Sequence, residues 1–450
     1  MPIVIFSCKQ HQKESGSPYD RYIIEVDSVL NNAILSKWYP LCLDSLHGGF
    51  LPTFDYRWEV IPPYDKMIIA QTRHTWTPSY AGIHYHDNDT LREVARHGFD
   101  NLKNTMWDSQ YAGFYDLVSR SGELMDSENG NLKTAYGNSF GIYAAATYYE
   151  YSGNKEALRL AMDAFLWLEK YSHDSIHNGY FQHLRRDGTP LHLHIEKNIA
   201  MENGAIGLKD YNSSIHLLEA FSQLYKVNKD DLVKKRLQEM FYIVRDTMVD
   251  REGYLRLYFQ PDWTVVSYRD SLPEFRRSHY HRDHVTFGHD VETAFLLMEA
   301  AHELGLGDDS TTLKLGKKMV DHALEKGWDQ KNGGFFYEGI YQDGEMEIIT
   351  PGKSWWVTTE GLNALLMMHQ YFPQEEKYWL AFAKLWEYTK KYQLDPRYGG
   401  FYPWGVDNTP GAATMHKGQH WKASYHSARA LINCLKMLKG EKLFAGYEVH

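Results

Sequence analysis

A glycine followed by an aromatic residue recurs six times along the chain at nearly constant spacing. Successive glycines of this motif lie 64, 66, 74, 81 and 66 residues apart, at Gly49, Gly113, Gly179, Gly253, Gly334 and Gly400. A regular period that covers the whole chain indicates one supersecondary unit used six times. This pattern outweighs the chain length, because 450 residues alone would suggest about three domains.

Helical periodicity fills the stretches between the glycine motifs. In each unit, two helices joined by a short link are followed by a long connection that carries one motif. A run such as residues 254–258 predicts a small β-hairpin in that connection. The twelve predicted helices lie near residues 20–36, 65–85, 90–107, 137–152, 154–172, 211–227, 230–249, 288–304, 310–327, 354–371, 375–393 and 421–438.

The first and last predicted helices lack a partner within their own units. Pairing of helix 20–36 with helix 421–438 would close the units into a ring, which needs no capping repeats. We therefore predict an all-α fold, an (α/α)6 barrel of twelve helices with short β-hairpins in the long loops, as a single domain over residues 1–450. Helices that are apolar on nearly every side, such as those with residues 295–298 and 362–368, would form the inner ring.

Polar and aromatic residues collect at the beginnings of the predicted inner helices, which share one rim with the long loops. A single histidine on an apolar helix is usually a core residue, but here three histidines stand at the same end of three helices. Arg73 adds to this signal, since arginine is rarely buried without a partner. The rim residues are Arg73, Trp76, Tyr136, Asn138, Asn212, His216, His289, Glu292, Trp355, Trp356, Glu360, Trp421 and His426.

These residue types indicate proton transfer on a sugar. Histidine both takes and gives a proton near neutral pH. Two histidines on opposite sides of a substrate suit removal of a proton from one face of a carbon and its return to the other. An arginine suits the enediolate oxygen that develops between the two steps. Aromatic walls suit the apolar C–H faces of a sugar ring.

Composition and charge argue against two other classes of binding partner, nucleic acid and membranes. A net charge of −10 without a basic face argues against nucleic acid. No segment approaches the roughly 18 apolar residues of a membrane span, and the first residues contain no apolar run of signal-peptide length. We therefore expect no membrane partner, a cytoplasmic location, and a monomer or homodimer.

Neither a metal site nor a disulfide framework is predicted. The three cysteines, Cys8, Cys42 and Cys434, are odd in number and form no Cys-x-x-Cys spacing. No histidine cluster has the His-Glu-x-x-His spacing of a zinc site. We interpret the local clusters as loop histidines; they are His84 with His86, His192 with His194, and His279 with His281 and His284.

Six rim motifs, in order, resemble the N-acylglucosamine 2-epimerase family, most closely its cellobiose and mannose 2-epimerase branch. They are Arg-x-x-Trp-Thr at 73–77, Tyr-Gly-Asn-Ser-Phe at 136–140, Asn-Ser-Ser-Ile-His-Leu-Leu-Glu-Ala at 212–220, Gly-His-Asp-Val-Glu at 288–292, Lys-Ser-Trp-Trp-Val at 353–357 and Trp-Lys-Ala-Ser-Tyr-His at 421–426.

The resemblance implies a 2-epimerase that interconverts glucose and mannose units without metal or cofactor. It implies that His289 and His426 are the acid/base pair at C2, that His216 helps to open the sugar ring, and that Arg73 holds the enediolate oxygen. The implied substrate-binding residues are Asn212, Tyr136, Glu292, Trp356, Trp421 and Trp76.

Three alternatives stay open on the sequence. An aldose–ketose isomerase would return the proton to C1 with similar histidines. An inverting glycoside hydrolase would need two carboxylates about 6.5–9.5 Å apart, for which the candidates are Asp290, Glu292, Glu360 and Asp407. A sugar-binding protein would need only the aromatic residues. Residues 270–286 are longer and more charged than expected of a disaccharide epimerase, so the substrate is either a free monosaccharide or the reducing end of a disaccharide.

Overall fold

The computed structural model describes residues 17–86, 88–125, 132–191, 206–307 and 310–444. Within these ranges the chain forms twelve long helices. In chain order they are α1 (Asp20–Val29), α2 (Ile68–Tyr85), α3 (Asp89–Asn101), α4 (Ala135–Ser152), α5 (Lys155–Tyr171), α6 (Tyr211–Val227), α7 (Asp231–Tyr242), α8 (Phe287–Glu303), α9 (Ser310–Lys326), α10 (Trp355–Tyr371), α11 (Lys377–Tyr388) and α12 (Tyr425–Leu438).

The even-numbered helices form a closed inner ring. Each packs on the next even-numbered helix, and α12 returns to pack on α2. The odd-numbered helices lie outside them, and α1 packs on α12, so the first and last helices close the ring. A hydrogen bond of 3.0 Å between the hydroxyls of Tyr39 and Ser424 ties the two ends of the chain together. The prediction of an (α/α)6 barrel is confirmed.

The inner and outer helices differ in how much of their surface is buried. The inner helix α10 is buried from Val357 to Met368 on every side. The outer helix α5 buries one stripe together with Trp167; the stripe consists of Ala157, Leu160, Ala161, Ala164, Phe165 and Leu168. Such a stripe at spacings of three and four residues covers one face of a helix. Capping side chains mark several helix starts; for example, Asp230 accepts the backbone N–H groups of Leu232 and Val233.

The helix ends differ from the predicted bounds for local reasons. Helix α2 begins at Ile68 because the two residues before it form a strand, and α12 begins at Tyr425 after a turn. Four outer helices end in a π-helical turn, at Leu30–Leu35, Leu102–Met106, Ile243–Met248 and Thr389–Gln393. A short helix, Pro273–Ser278, had no sequence signal strong enough to predict it.

The predicted short β-structure is present, and most of it joins neighbouring units. Strand β1 (Lys66–Met67) pairs with β2 (Leu117–Val118), β3 (Leu132–Thr134) with β4 (His183–Arg185), and β5 (Lys209–Asp210) with β6 (Tyr258–Phe259). Strand β7 (Val285–Thr286) pairs with β8 (Glu338–Gln342), which forms a local hairpin with β9 (Glu345–Thr350). Strands β1, β3, β5 and β7, which precede inner helices, are therefore each held by the connection of the following unit.

A buried lysine–aspartate pair holds the turn before five of the six glycine motifs. In the third unit, Asp174 accepts the backbone N–H groups of Ile176 and His177 at 2.9 and 3.1 Å. Its other oxygen accepts Lys209 Nζ at 2.8 Å, two residues before the inner helix α6. The same pair recurs in four other described units, as Asp44–Lys66, Asp108–Lys133, Asp329–Lys353 and Asp395–Lys417.

The fourth unit departs from this arrangement. Its turn is one residue shorter, since Asp250 N bonds to the carbonyl of Tyr254, four residues on, whereas Asp174 N bonds to Gly179, five residues on. Val285 stands where the other units have lysine, and Arg256 binds Asp250 at 2.8 Å instead. This unit leads into helix α8, which carries His289.

Candidate active site

A cavity of about 380 Å³ opens at the rim where the inner helices begin. It contains nine of the ten residues that the sequence proposed for catalysis or substrate binding. The lining residues are Arg73, Tyr136, Asn212, His216, His289, Glu292, Tyr337, Ser354, Trp355, Trp356, Pro403, Trp404, Gln419, Trp421 and His426. The six inner helices each begin at this rim, so every unit contributes at least one residue to the lining.

Arg73 is fixed by neutral partners. Its Nη1 donates to the carbonyl of Trp421 at 2.6 Å, and its Nη2 donates to the hydroxyl of Tyr136 at 3.1 Å. The guanidinium lies over the rings of Phe140 and Tyr425, 4.9 and 5.2 Å from their centroids. A positive charge held in this way is available to an oxygen that becomes negative in the cavity.

His289 is a neutral imidazole with an aromatic neighbour on each side. Its Nδ1 shares a hydrogen bond of 2.7 Å with the hydroxyl of Thr286. The rings of Trp356 and Tyr211 lie 4.8 and 5.1 Å away, centroid to centroid. Burial lowers the pKa of His289 to about 3, and the nearby histidines add to the effect. The ring is therefore uncharged at neutral pH and able to accept a proton.

His426 and His216 each form a hydrogen bond from Nδ1 to a carboxylate. Nδ1 of His426 donates to Glu360 at 2.8 Å, and Nδ1 of His216 donates to Glu219 at 2.9 Å. A carboxylate on Nδ1 fixes the tautomer and leaves Nε2 to exchange a proton with a substrate. Burial lowers the pKa of His426, whereas Glu292, 3.7 Å from its Nδ1, raises it.

A buried charge cluster lies directly behind these histidines. Arg429, only 2% exposed, donates to Glu219, to Glu292 at 2.5 Å and to Glu360 at 2.7 Å. Tyr425 also donates to Glu219. We call Arg429 and these three glutamates the carboxylate cluster. It joins helices α6, α8, α10 and α12 at the centre of the barrel.

Sequence reasoning missed Glu219 and Arg429, and it considered Glu360 only as a rim residue and as a candidate carboxylate of a hydrolase. A signal was available, because His216 and Glu219 are three residues apart, as are His426 and Arg429. Residues at this spacing share one helix face. His289 and Glu292 are also three residues apart, and charged residues deep in an apolar helix are rarely buried without partners.

Two glutamates of the carboxylate cluster and His426 are close enough together to act as metal ligands. Among the described residues, Glu292, Glu360 and His426 form the group whose ligand atoms lie close enough, within 4.8 Å, to hold an ion. The guanidinium of Arg429 occupies the position between the two carboxylates and satisfies their charge. Arginine therefore supplies here the positive charge that a cation would bring.

Among the described residues, the remaining clustered histidines and the cysteines do not line the cavity. His279 and His284 hydrogen-bond to nearby backbone carbonyls, as loop histidines do. Both described cysteines, Cys42 and Cys434, are free and buried. Cys8, His192 and His194 lie outside the described residues.

Two predicted rim residues lie deeper than expected. Trp76 is buried against Tyr80 and Tyr143, at centroid distances of 4.6 and 5.4 Å, and does not line the cavity. Asn138 accepts the backbone N–H of Phe114 at 2.8 Å and so holds a glycine motif in place. Trp421, 45% exposed, stands at the mouth of the cavity.

The carboxylates that could serve an inverting glycoside hydrolase are bound to other protein groups. Asp290 accepts the backbone N–H of Leu255 at 3.2 Å, and Asp407 binds Lys353 at 2.8 Å and Tyr388 at 2.7 Å. Neither residue lines the cavity. Among the described lining residues, Glu292 is the single carboxylate, and it is bound by Arg429.

Comparisons with known proteins relate nearly the whole chain to sugar epimerases. A profile of the N-acylglucosamine 2-epimerase family matches residues 48–430. The cellobiose 2-epimerase of Ruminococcus albus is 28% identical over 422 residues, 92% of this chain and 98% of that protein. The D-mannose isomerase of Marinomonas mediterranea is 23% identical over 410 residues, 90% of this chain and 95% of that protein. The solved cellobiose 2-epimerase of Bacillus thermoamylovorans B4167 shares 25% identity with a TM-score of 0.80, and the match covers 92% of this chain and 99% of that one.

Fold and cavity together define an (α/α)6-barrel enzyme of the isomerase class, with histidines and tryptophans around one central pocket. Of the helices in the described ranges, none combines the length and apolar character that a membrane crossing requires. The chain belongs to the N-acylglucosamine 2-epimerase family, a family of sugar epimerases.

Proposed function

We propose that this protein is a carbohydrate 2-epimerase that interconverts glucose and mannose units through a cis-enediolate. The observation that carries the proposal is the placement of His289 and His426 around one tryptophan. Their ring centroids lie 4.8 and 5.6 Å from that of Trp356. A sugar stacked beside Trp356 would meet two proton-transfer groups at one carbon, with Arg73 in the same cavity.

Ring opening comes first in the proposed reaction. Nε2 of His216, with Glu219 on its Nδ1, takes the proton of the anomeric hydroxyl and gives it to the ring oxygen as the C1–O5 bond breaks. The open-chain aldehyde then places its carbonyl oxygen against Arg73. Asn212, on the same helix as His216, lines the cavity and can hydrogen-bond to a sugar hydroxyl.

Proton transfer at C2 follows. A neutral histidine removes the C2 proton, the electron pair forms the C1–C2 double bond, and O1 becomes the enediolate oxygen beside Arg73. The second histidine, as imidazolium, then gives its proton to the opposite face of C2, and the aldehyde is restored. Ring closure by reversal of the first step releases the epimer. Protons are the only groups transferred, so these steps need no metal or nucleotide.

The surroundings of the two histidines suggest different resting roles. His289 has no carboxylate among its described contacts and is neutral, which suits the base. His426 lies beside Glu292 and Glu360. Burial holds the pKa of His426 below its ordinary value, but the negative charge of Glu292 opposes burial, so His426 suits the acid better than His289 does. In the reverse reaction the two histidines exchange roles, because the first transfer leaves the proton on His289.

The outer part of the cavity suits a second sugar. Tyr337 lies 6.1 Å from Trp356 and 5.0 Å from Trp404, centroid to centroid. These rings continue the aromatic wall from the proton-transfer groups toward the mouth. We infer that the reducing-end glucose of a β-linked disaccharide binds beside Trp356 while its second sugar contacts Trp404. Free mannose and glucose would fill the inner part alone.

Product analysis in D₂O tests the proposal. The protein is incubated with cellobiose, mannobiose, glucose, mannose and N-acetylglucosamine, and the products are followed by NMR. We expect the C2 epimer of a gluco- or manno-configured sugar, with deuterium at C2. A ketose as the main product would instead support an aldose–ketose isomerase, the activity that the name of the Marinomonas relative states. Hydrolysis of the disaccharide, or no turnover of any sugar, would contradict the epimerase.

A further inference from the structure

We propose that Arg429 is a positioning residue that orients two of the three cavity histidines. It acts through the carboxylate cluster, where Nη1 donates to one glutamate and Nη2 donates to two. The planar guanidinium suits this task because its donors lie in a fixed fork. The three glutamates come from helices α6, α8 and α10, and Arg429 comes from α12. One side chain therefore sets the relative positions of groups on four inner helices.

The orientation passes from the glutamates to the imidazoles. Glu219 accepts Nδ1 of His216 at 2.9 Å, and Glu360 accepts Nδ1 of His426 at 2.8 Å. Each carboxylate thus determines where Nε2 of its histidine points in the cavity. A displacement of about 1 Å of a reacting group can cost about 100-fold in rate. Loss of Arg429 would therefore slow proton transfer without removing any group that touches the sugar.

The charge of Arg429 also acts on the histidines. Three carboxylates surround one guanidinium, and removal of the guanidinium would leave these buried negative charges without their arginine cation. Burial lowers the pKa of His426, Glu292 raises it, and the positive charges of Arg73 and Arg429 lower it further. Without Arg429, the pKa of His426 should rise, and the imidazolium should persist to higher pH.

The test compares three variants. Arg429→Met removes the fork and the charge, whereas Arg429→Lys retains the charge without the fork. Arg236→Met is the matched control, because Arg236 bridges Glu169 and Glu239 at 2.7 Å outside the cavity. We expect Arg429→Met to lower kcat about 100-fold with little change in KM and to move the pH profile to higher pH. Arg429→Lys should keep part of kcat and an unshifted profile, and Arg236→Met should leave both unchanged.

The kinetic readout rests on the proposed epimerase activity, so a second readout is independent of turnover. NMR titration of labelled histidine, with the His426 signal assigned from His426→Ala, should show a higher pKa for His426 in Arg429→Met and the wild-type pKa in Arg429→Lys. If the wild type epimerises no sugar while this shift is observed, the proposed function fails and the positioning role stands.

Wild-type kcat together with an unshifted His426 titration in Arg429→Met would overturn the proposal. If Arg429→Met does not fold, kcat of Glu219→Gln and of Arg429→Lys tests the proposal instead. Glu219→Gln keeps an oxygen for Arg429 but withdraws the carboxylate from His216, and it should lower kcat. Wild-type kcat in both of these variants would equally overturn the proposal.

Discussion

The lysine–aspartate pair of the third unit offers a direct test of how the repeated turns stabilise the barrel. The perturbation is Lys209→Met, which replaces the ammonium with an apolar group of similar length. In the wild type, Lys209 Nζ donates to Asp174 at 2.8 Å and to the carbonyls of Asn178 and Pro261 at 2.5 and 2.7 Å. The variant leaves a buried carboxylate without its ion partner and two carbonyls without a donor.

The expected loss is large because both partners are buried. The side chain of Lys209 is 0% exposed and that of Asp174 is 7% exposed. Removing one member of a buried pair costs about 3–5 kcal/mol in the free energy of unfolding, since the other charge stays buried and uncompensated. The double variant Lys209→Met/Asp174→Asn removes that charge, keeps an oxygen for the turn N–H groups, and should lose only about 1–2 kcal/mol.

The loss should depend on pH in a defined direction. Burial raises the pKa of Asp174, but Lys209 and the turn N–H groups outweigh burial and hold that pKa below its ordinary value. A carboxyl with a lowered folded-state pKa contributes stability above its unfolded pKa, and this contribution disappears as pH falls through the folded pKa. The difference between wild type and Lys209→Met should therefore be largest at pH 7 and shrink below about pH 4.

Urea unfolding followed by circular dichroism and tryptophan fluorescence measures both effects. Lys235→Met, at an exposed position of helix α7, is the matched control and should change the free energy of unfolding by less than about 0.5 kcal/mol. A loss below about 1 kcal/mol in Lys209→Met at pH 7, where breaking a buried pair should cost several times more, would refute the reasoning. So would a loss that is the same at about pH 2.5 as at pH 7.

Three further predictions concern the cavities. His289→Ala and His426→Ala should each lower kcat at least about 100-fold and abolish deuterium incorporation at C2, because each removes one acid/base group. Deuterium exchange retained in either variant would contradict the role proposed for the histidine that was replaced. Trp404→Ala should raise KM for cellobiose while kcat/KM for mannose stays unchanged, and equal losses on both sugars would rule out an outer sugar position. A second cavity, at the opposite end of the barrel, contains Glu299, whose pKa burial raises to about 8. A carboxyl whose pKa is higher in the folded than in the unfolded state lowers the free energy of unfolding as pH rises from the unfolded-state pKa to the folded-state pKa. Glu299→Gln should therefore raise the melting temperature more at pH 9 than at pH 5. An equal change at the two pH values would refute this prediction.

Much of the site could be predicted because its residues stand at the starts of regular helices. His216, His289 and His426 occur at the same end of three inner helices, and the closed ring brings those ends to one rim. Trp76 shows where such reasoning stops. It lies three residues beyond Arg73 on α2, which places it about 4.5 Å deeper along the helix axis. Whether a side chain at that depth faces a cavity or a neighbouring ring depends on the packing of adjacent helices.

By itself, the sequence determined the six-unit repeat, the closed ring and the rim that carries the histidines, because turns and helical periodicity are local properties of the chain. The lysine–aspartate pairs belong partly to this class, since each pair recurs at a similar place in its unit. Only the tertiary structure decided the carboxylate cluster. Arg429 lies 210 residues from Glu219 and 69 from Glu360 in sequence. No local pattern specifies such a meeting, which exists because the ring closes and because buried charges must find partners at its centre.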